Sequence, residues 1–245
     1  MNYLCHVEYD GTNYSGWAVQ PNKVTIQGKI QEVLHKCFKQ NIKIIGASRT
    51  DTHVHANDQA FSFKETKAKL NPNKMREVLN RVLPRDIKIT KVKVVSESFN
   101  ANRKVKSKTY QYLINTSAKS IYASARYAHY VWNVYNKLDV SLMKRAAKQF
   151  IGKHNFLSFS KSELDNTIRI INDISIRKDK EMLKIEINGN GFLRNMVRMI
   201  VACLVNIGTH KRDIKIIKKL LANPSKGSSN DLAPACGLYL NKIYY

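Results

Sequence analysis

Apolar and polar residues follow regular patterns along most of the chain, and these patterns predict its helices and strands. Alternation predicts strands at 3–9, 41–47, 58–64 and 86–95. Helical spacing begins after Thr25, a residue type that caps helices, and again after Asn71 and Pro72, a typical helix start. The first part of the chain is therefore predicted to have the order βαββαβ.

The second part of the chain repeats this order of elements without repeating the sequence. The patterns predict a strand at 107–115, a helix at 138–151, a hairpin of strands 168–177 and 181–188, helices at 192–207 and 211–222, and a closing strand at 237–244. We therefore predict two halves, 1–100 and 101–245, with a boundary near 98–106. The predicted class is α+β: two ferredoxin-like or RRM-like βαββαβ halves that form a largely antiparallel mixed sheet with helices on the outer faces.

The chain is strongly basic. Its 245 residues include 42 Lys and Arg but only 18 Asp and Glu, which gives a net charge of +24 and a pI near 9.9. Such an excess attracts polyanions and predicts a nucleic-acid partner, although a compositional preference for lysine would also raise the charge. The basic run at 102–108 fits either RNA contact or a solvated strand edge.

The cysteines and the apolar segments limit where the protein works. The four cysteines are scattered without a CxxC pair, which argues against a zinc ribbon or a disulfide framework and favours a reducing cytosol. The N-terminus lacks the pattern of a signal peptide, and the most apolar stretch is too short for a membrane span. We expect a cytoplasmic protein.

The stretch SRTDTHVHANDQAFSF at 48–63 carries the candidate chemistry. If it is extended, Asp51, His53 and His55 point to one side and offer three metal ligands, although the other histidines form no second cluster. Alternatively, Asp51 is a catalytic carboxylate that the positive charge of Arg49 keeps ionised. Spacing alone favours a third interpretation, an aspartate that caps a loop.

This stretch resembles the signature of the TruA family of tRNA pseudouridine synthases, in which an R-T-D-x-x-V-H segment carries the catalytic aspartate. The resemblance continues in order along nearly the whole chain: VEYDGTNYSGWAVQ (7–20), LPRDI (83–87), FNA (99–101), KTYQYLI (108–114), FIGKHNFLSF (150–159), GFLRNMVRMIV (191–201) and APACGLYL (233–240). The family has the pseudouridine synthase fold, in keeping with the predicted class.

The resemblance implies a role for each matching residue. Asp51 would be the catalytic residue, Tyr110 would bind the substrate, and Arg198 would pair with Asp51. Arg49 would support the phosphate of the flipped nucleotide or occupy the gap that the nucleotide leaves. The family acts as a homodimer on uridines at positions 38, 39 and 40 of the tRNA anticodon stem-loop. The isomerisation has no net redox change and imports no group, so it requires neither cofactor nor metal.

The sequence also departs from the family pattern. Ser48 and Asn102 replace a glycine and an arginine, Thr52-His53 replaces Ala-Gly, and Asn155 replaces an aspartate. If the replaced glycine needs a positive φ, histidine tolerates it at some cost. Three alternatives stay open: a divergent family member that acts on another RNA, a catalytically silent RNA-binding protein, and a metal-dependent nuclease that uses Asp51, His53 and His55.

Overall fold

The computed structural model describes residues 1–65 and 68–245 and divides them into two compact units. The first unit comprises Met1–Lys106 with Tyr239–Tyr245, and the second comprises Ser107–Leu238. Both units combine helices with mainly antiparallel sheet, which confirms the α+β class.

The first unit has the predicted order βαββαβ. Its elements are β1 (Asn2–Tyr9), α1 (Ile26–Phe38), β2 (Ile45–Gly46), β3 (His55–Lys64), α2 (Pro72–Val82) and β4 (Ile87–Val95). Strand β1 lies between β3 and β4 and is antiparallel to both, while β2 pairs with β3. Alternate residues of β1, among them Tyr3, Cys5 and Val7, are fully buried and form the core face of the sheet.

The helices of the first unit begin where the sequence predicts. The Thr25 hydroxyl accepts a hydrogen bond from the Gly28 amide, and the Asn71 side chain accepts one from the Lys74 amide. These bonds satisfy amides that the first turn of a helix leaves without partners. Helix α2 packs against α1 and β4.

The second unit is also built on mainly antiparallel strands. Its elements are β5 (Ser107–Asn115), β6 (Trp132–Asn133), α3 (Val140–Ala147), β7 (Gly152–Asn155), β8 (Ile168–Asp179), β9 (Met182–Gly189), α4 (Met196–Gly208) and α5 (Lys215–Ala222). Strand β9 lies between β5 and β8, and β7 follows at the edge, all antiparallel, while β6 pairs parallel with β5. Helix α3 packs against α4 and β8.

The last strand, β10 (Leu238–Tyr244), returns to the first unit. There Tyr239 and Leu240 pair in parallel with His55 and Ala56 of β3. None of the helices in the described part of the chain is both long and apolar enough to cross a membrane.

Several predicted elements are wrong in extent. The predicted helix 211–222 begins only at Lys215, and the physical reason is visible for two other elements. The predicted strand 41–47 is a strand only at Ile45–Gly46, because the amide of Ile44 bonds to the Gln31 side chain instead of to a neighbouring strand. The predicted helix 192–207 begins only at Met196, because the preceding Asn195 adopts a left-handed φ of 64°.

Candidate active site

Asp51 occupies the first position of a tight turn. The amide of Val54 donates a hydrogen bond to the Asp51 carbonyl, at 3.2 Å, and His53 has a φ of 63°. A single left-handed residue at the third position is the geometry of a type II turn, which normally favours glycine there. The segment 51–55 is therefore not extended throughout, and His53, which stands where the family pattern has glycine, does adopt a positive φ. The turn leaves the Asp51 side chain partly buried.

The turn is held against the loop that follows β1. The amide of Trp17 donates to the Thr50 carbonyl, and the amide of His53 donates to the Tyr14 carbonyl. Two glycines allow this approach: a Cβ on Gly11 would lie 2.1 Å from the Val54 carbonyl oxygen, and one on Gly16 would lie 2.6 Å from the Thr50 carbonyl oxygen. Backbone therefore packs directly on backbone on both sides of Asp51.

The two histidines hold the loops together. His53 is exposed, and its Nδ1 lies 2.7 Å from the Thr12 carbonyl oxygen. His55 is 2% exposed, its Nδ1 lies 3.1 Å from both the Gly11 amide and the Asp10 carboxylate, and its ring stacks on Tyr239. Because of the turn, these two side chains and Asp51 do not follow strand alternation. Among the described residues, no group of three His, Cys, Asp or Glu side chains is arranged to hold a metal ion.

Side-chain hydrogen bonds fix the segment that leads into the turn. The hydroxyl groups of Thr50 and Tyr9 are 2.8 Å apart, and the Gln59 side chain donates to the Ser48 carbonyl. The Asn102 side chain donates to the Ala47 carbonyl at 3.4 Å. The Arg49 side chain, between two buried neighbours, is exposed. Arg49 and Asp51 thus share one rigid loop of the first unit.

Tyr110 lies on β5 of the second unit and is only 5% exposed. Its ring meets the ring of Phe192 edge to face, with centroids 5.1 Å apart. Phe192 thereby fixes the orientation of the Tyr110 ring. Gly189 allows this packing, since a Cβ there would lie 3.1 Å from the Phe192 ring.

Arg198 lies in the first turn of α4, and its backbone and side chain both contact residue 233. Its Nε donates to the Ala233 carbonyl at 2.7 Å, and the Ala233 amide donates to the Arg198 carbonyl. The neighbouring Pro234 carbonyl accepts from the buried Tyr112 hydroxyl, at 2.6 Å. The APACGLYL segment thus orients the guanidinium in the first turn of this mostly apolar helix.

The sequence patterns did not indicate the residues, distant in sequence, that hold the loop against the Asp51 turn. Tyr14, in the loop that follows β1, donates its hydroxyl hydrogen to the Asp86 carboxylate at 2.8 Å. Burial, followed by this hydrogen bond, raises the pKa of Tyr14. In the sequence, the loop that follows β1 is marked by its glycine and asparagine content, which does not reveal that Tyr14 bonds to Asp86.

A family model described as tRNA pseudouridine synthase matches residues 6–104 and 146–245. The matched segments contain Arg49, Asp51 and Arg198, whereas Tyr110 lies between them. The match covers most of the chain.

Full-length relatives carry the same description. The chain is 44% identical over 246 residues to tRNA pseudouridine synthase A of Ureaplasma parvum serovar 3, covering all of both chains. It is 41% identical to the protein of that name from Thermoanaerobacter sp. (strain X514), over 100% of this chain and 99% of the relative. For the Mycoplasma genitalium protein of that name the identity is 40%, over 99% and 98%. The chain therefore belongs to the TruA family of tRNA pseudouridine synthases.

Proposed function

We propose that this protein isomerises uridine to pseudouridine in tRNA and that Asp51 is its catalytic carboxylate. Family membership supports the reaction, and the relatives named tRNA pseudouridine synthase A support tRNA as the substrate. The observation that carries the role of Asp51 is its turn, in which backbone bonds on both sides hold a single partly buried carboxylate.

The reaction requires a carboxylate but no change in composition. The N1–C1′ bond of uridine breaks, a C5–C1′ bond forms, C5 loses a proton and N1 gains one. A carboxylate can attack or stabilise the electron-poor centre that forms when the glycosidic bond breaks. Asp51 supplies this group from a backbone that does not need to reorganise, which is the condition for efficient catalysis by a positioned group.

The other three residues receive supporting roles. The target base must leave the helical stack, and the exposed Arg49 is suited to hold the displaced nucleotide or to occupy the gap it leaves. The oriented ring and hydroxyl of Tyr110 bind the uracil. Arg198, whose guanidinium is fixed by the Ala233 carbonyl, supplies a positive charge that favours an ionised carboxylate. In this proposal residues 1–100 contribute the aspartate loop and residues 101–245 contribute Tyr110 and Arg198.

The proposal also covers which uridines of the tRNA are modified and the oligomeric state of the enzyme. The target lies in the anticodon stem-loop at positions 38, 39 and 40, and the enzyme acts in the cytoplasm as a homodimer. The net charge of +24 supports binding to the phosphates of a folded RNA. Sedimentation of the purified protein tests the dimer, and mapping of pseudouridine in tRNA from cells with and without the gene tests the position.

The decisive experiment compares Asp51→Asn with the wild type. The substrate is an anticodon stem-loop transcript with tritium at C5 of its uridines, so that conversion releases tritium. We expect release by the wild type in the presence of EDTA, and loss of at least about a thousandfold in Asp51→Asn, since the amide cannot act as a carboxylate. Asp165→Asn, at an exposed aspartate of the second unit, is the matched control and should keep full activity.

Three outcomes separate the proposal from its rivals. Unchanged tritium release by Asp51→Asn would remove Asp51 from the mechanism. Loss of activity with EDTA, together with strand cleavage, would favour a metal-dependent nuclease. Tight binding of the RNA without any conversion by the wild type would identify a silent RNA-binding protein.

A further inference from the structure

The ring of His53 presents a hydrogen-bond acceptor to solvent. Its Nδ1 lies 2.7 Å from the Thr12 carbonyl oxygen, and because a carbonyl oxygen only accepts hydrogen bonds, Nδ1 must carry the proton. In the neutral ring Nε2 is then an acceptor. The side chain is exposed, and within the described part of the chain no group donates a hydrogen bond to Nε2. His53 therefore has one ring nitrogen bound to the protein and one that can bind a ligand.

The protein fixes this ring before any ligand arrives. The backbone of His53 is held in the left-handed region at φ 63°, and its amide donates to the Tyr14 carbonyl at 3.3 Å. The ring is bonded to Thr12, which belongs to the same loop as Tyr14. Because the ring has little freedom left to lose, a hydrogen bond to Nε2 forms at a low cost in entropy.

His53 lies at the rim of the Asp51 turn. Arg49, Thr52 and His53 are exposed, while Asp51 among them is partly buried. Two residues of chain span at most about 7 Å, so the His53 backbone lies within that distance of the Asp51 backbone. An RNA strand that presents a uridine to Asp51 therefore passes along this rim, and the nucleotides next to that uridine come within reach of the His53 ring.

The acceptor character of Nε2 selects the group that it binds. The phosphate oxygens of RNA are acceptors, so they do not bond to a neutral Nε2. The ribose 2′-hydroxyl is a donor that every nucleotide of RNA carries, whatever its base, and DNA lacks it. An acceptor held beside the strand can thus recognise RNA at this point without reading its sequence.

We propose that Nε2 of His53 accepts a hydrogen bond from the 2′-hydroxyl of a nucleotide adjacent to the target uridine. This inference rests on the proposed function, because it takes Asp51 as the residue that the uridine reaches. His53 is then an RNA-binding residue. Glycine, which the family pattern has at this position, offers no acceptor, so the contact is particular to chains that carry histidine here.

The test is a double-mutant cycle between the protein and the RNA. Synthetic anticodon stem-loops carry a single 2′-deoxynucleotide at each loop position in turn, and their dissociation constants are measured by fluorescence anisotropy. Every protein carries Asp51→Asn to prevent turnover, and the buffer is at about pH 8.5, where the neutral form of an ordinary imidazole predominates. One 2′-deoxy substitution next to the target should weaken binding to the parental protein by about three- to tenfold. The same substitution should leave binding to His53→Gly unchanged.

His210→Gly is the matched control. His210 is also exposed and also has a left-handed φ, 59°, but it lies two residues after α4 in the second unit. It should respond to every 2′-deoxy substitution as the parental protein does. In proteins that keep Asp51, the weaker binding should appear as the same factor in KM. Loss of support for the turn would instead lower kcat, and that loss would not depend on the 2′-hydroxyl.

The outcomes distinguish failure of this contact from failure of the proposed function. If His53→Gly responds to every 2′-deoxy substitution as the parental protein does, the contact does not exist, even when the Asp51 experiment succeeds. The proposal is also overturned if His210→Gly loses the sensitivity to the same extent as His53→Gly. If the wild type converts no uridine, the proposed function fails, while the cycle still reports whether His53 contacts a 2′-hydroxyl.

Discussion

Replacement of Gly16 by alanine should damage catalysis through the backbone of the Asp51 turn. Gly16 has a φ of +87°, and an added Cβ would lie 2.6 Å from the Thr50 carbonyl oxygen and 3.1 Å from the Asp51 carbonyl carbon. These neighbours are backbone atoms, which cannot rotate away as a flexible side chain would. The two segments must therefore separate.

The size of the effect follows from these distances. Ordinary contact begins at 3.4 Å, so the separation has to increase by about 0.8 Å. The left-handed conformation costs alanine about 1–2 kcal/mol, and the overpacking adds about 1–3 kcal/mol. A displacement of about 1 Å at a catalytic group can lower its rate about a hundredfold. We therefore expect destabilisation of about 2–5 kcal/mol and a fall in single-turnover conversion of about a hundredfold.

Gly227→Ala is the matched control. Gly227 also has a positive φ, +63°, but its added Cβ would meet only the Ser160 carbonyl oxygen, at 3.7 Å. It should show the conformational cost of about 1–2 kcal/mol in urea unfolding and full conversion once folded. The reasoning is refuted if Gly16→Ala converts uridine at the rate of Gly227→Ala under conditions in which both are folded.

Two further variants test the turn and the buried lysine. The free energy of unfolding of His53→Gly should lie within about 0.5 kcal/mol of the wild type, because relief of the left-handed φ offsets the lost bond to Thr12. His53→Ala keeps the strain, loses the bond and should be less stable by about 1 kcal/mol. Equal stability of the two variants in urea unfolding would contradict this account. Burial lowers the pKa of Lys108 to about 8, so between pH 8 and 10.5 the folded protein binds fewer protons there than the unfolded chain, and stability should rise with pH. Lys108→Met should abolish this rise and be more stable than the wild type at pH 7 by up to about 3 kcal/mol. Urea unfolding at pH 7 and 10 measures both effects, and an unchanged pH slope in Lys108→Met would refute the role of this lysine.

Local patterns predicted most of the fold because most elements are stabilised by residues close to them in sequence. Strand β5 has the bounds expected from its alternation, and α1 and α2 begin at the cap residues identified in advance. The prediction fails where distant groups decide. Ile42 and Ile44 are buried at alternate positions as in a strand, yet Gln31 from α1 takes the Ile44 amide, and no strand forms there.

The candidate site shows the same division. Motifs indicated Asp51, Tyr110 and Arg198, but not what holds them. The turn at Asp51 depends on Gly11 and Gly16, which lie about forty residues earlier in the sequence. That these positions must lack a side chain becomes evident only in the folded structure, where the two backbones are in contact. The alternate spacing of Asp51, His53 and His55 is also compatible with an extended segment, because hydrogen bonding between the ends of a turn leaves no trace in a two-residue period.

The departures from the family pattern can be explained by local bonds that preserve the turn. His53 takes the left-handed conformation of the replaced glycine and adds a bond to the Thr12 carbonyl, so the loop that contains Gly11 and Gly16 gains an attachment. The Asn102 side chain donates a hydrogen bond to the carbonyl of Ala47, the residue before Ser48. In the second unit, the Asn155 side chain accepts from the Leu157 amide and the Thr167 hydroxyl, as a carboxylate would. His53 and Asn102 thus each bond to backbone next to the segment that carries Asp51, and we infer that support of this backbone is what the reaction requires of these two positions.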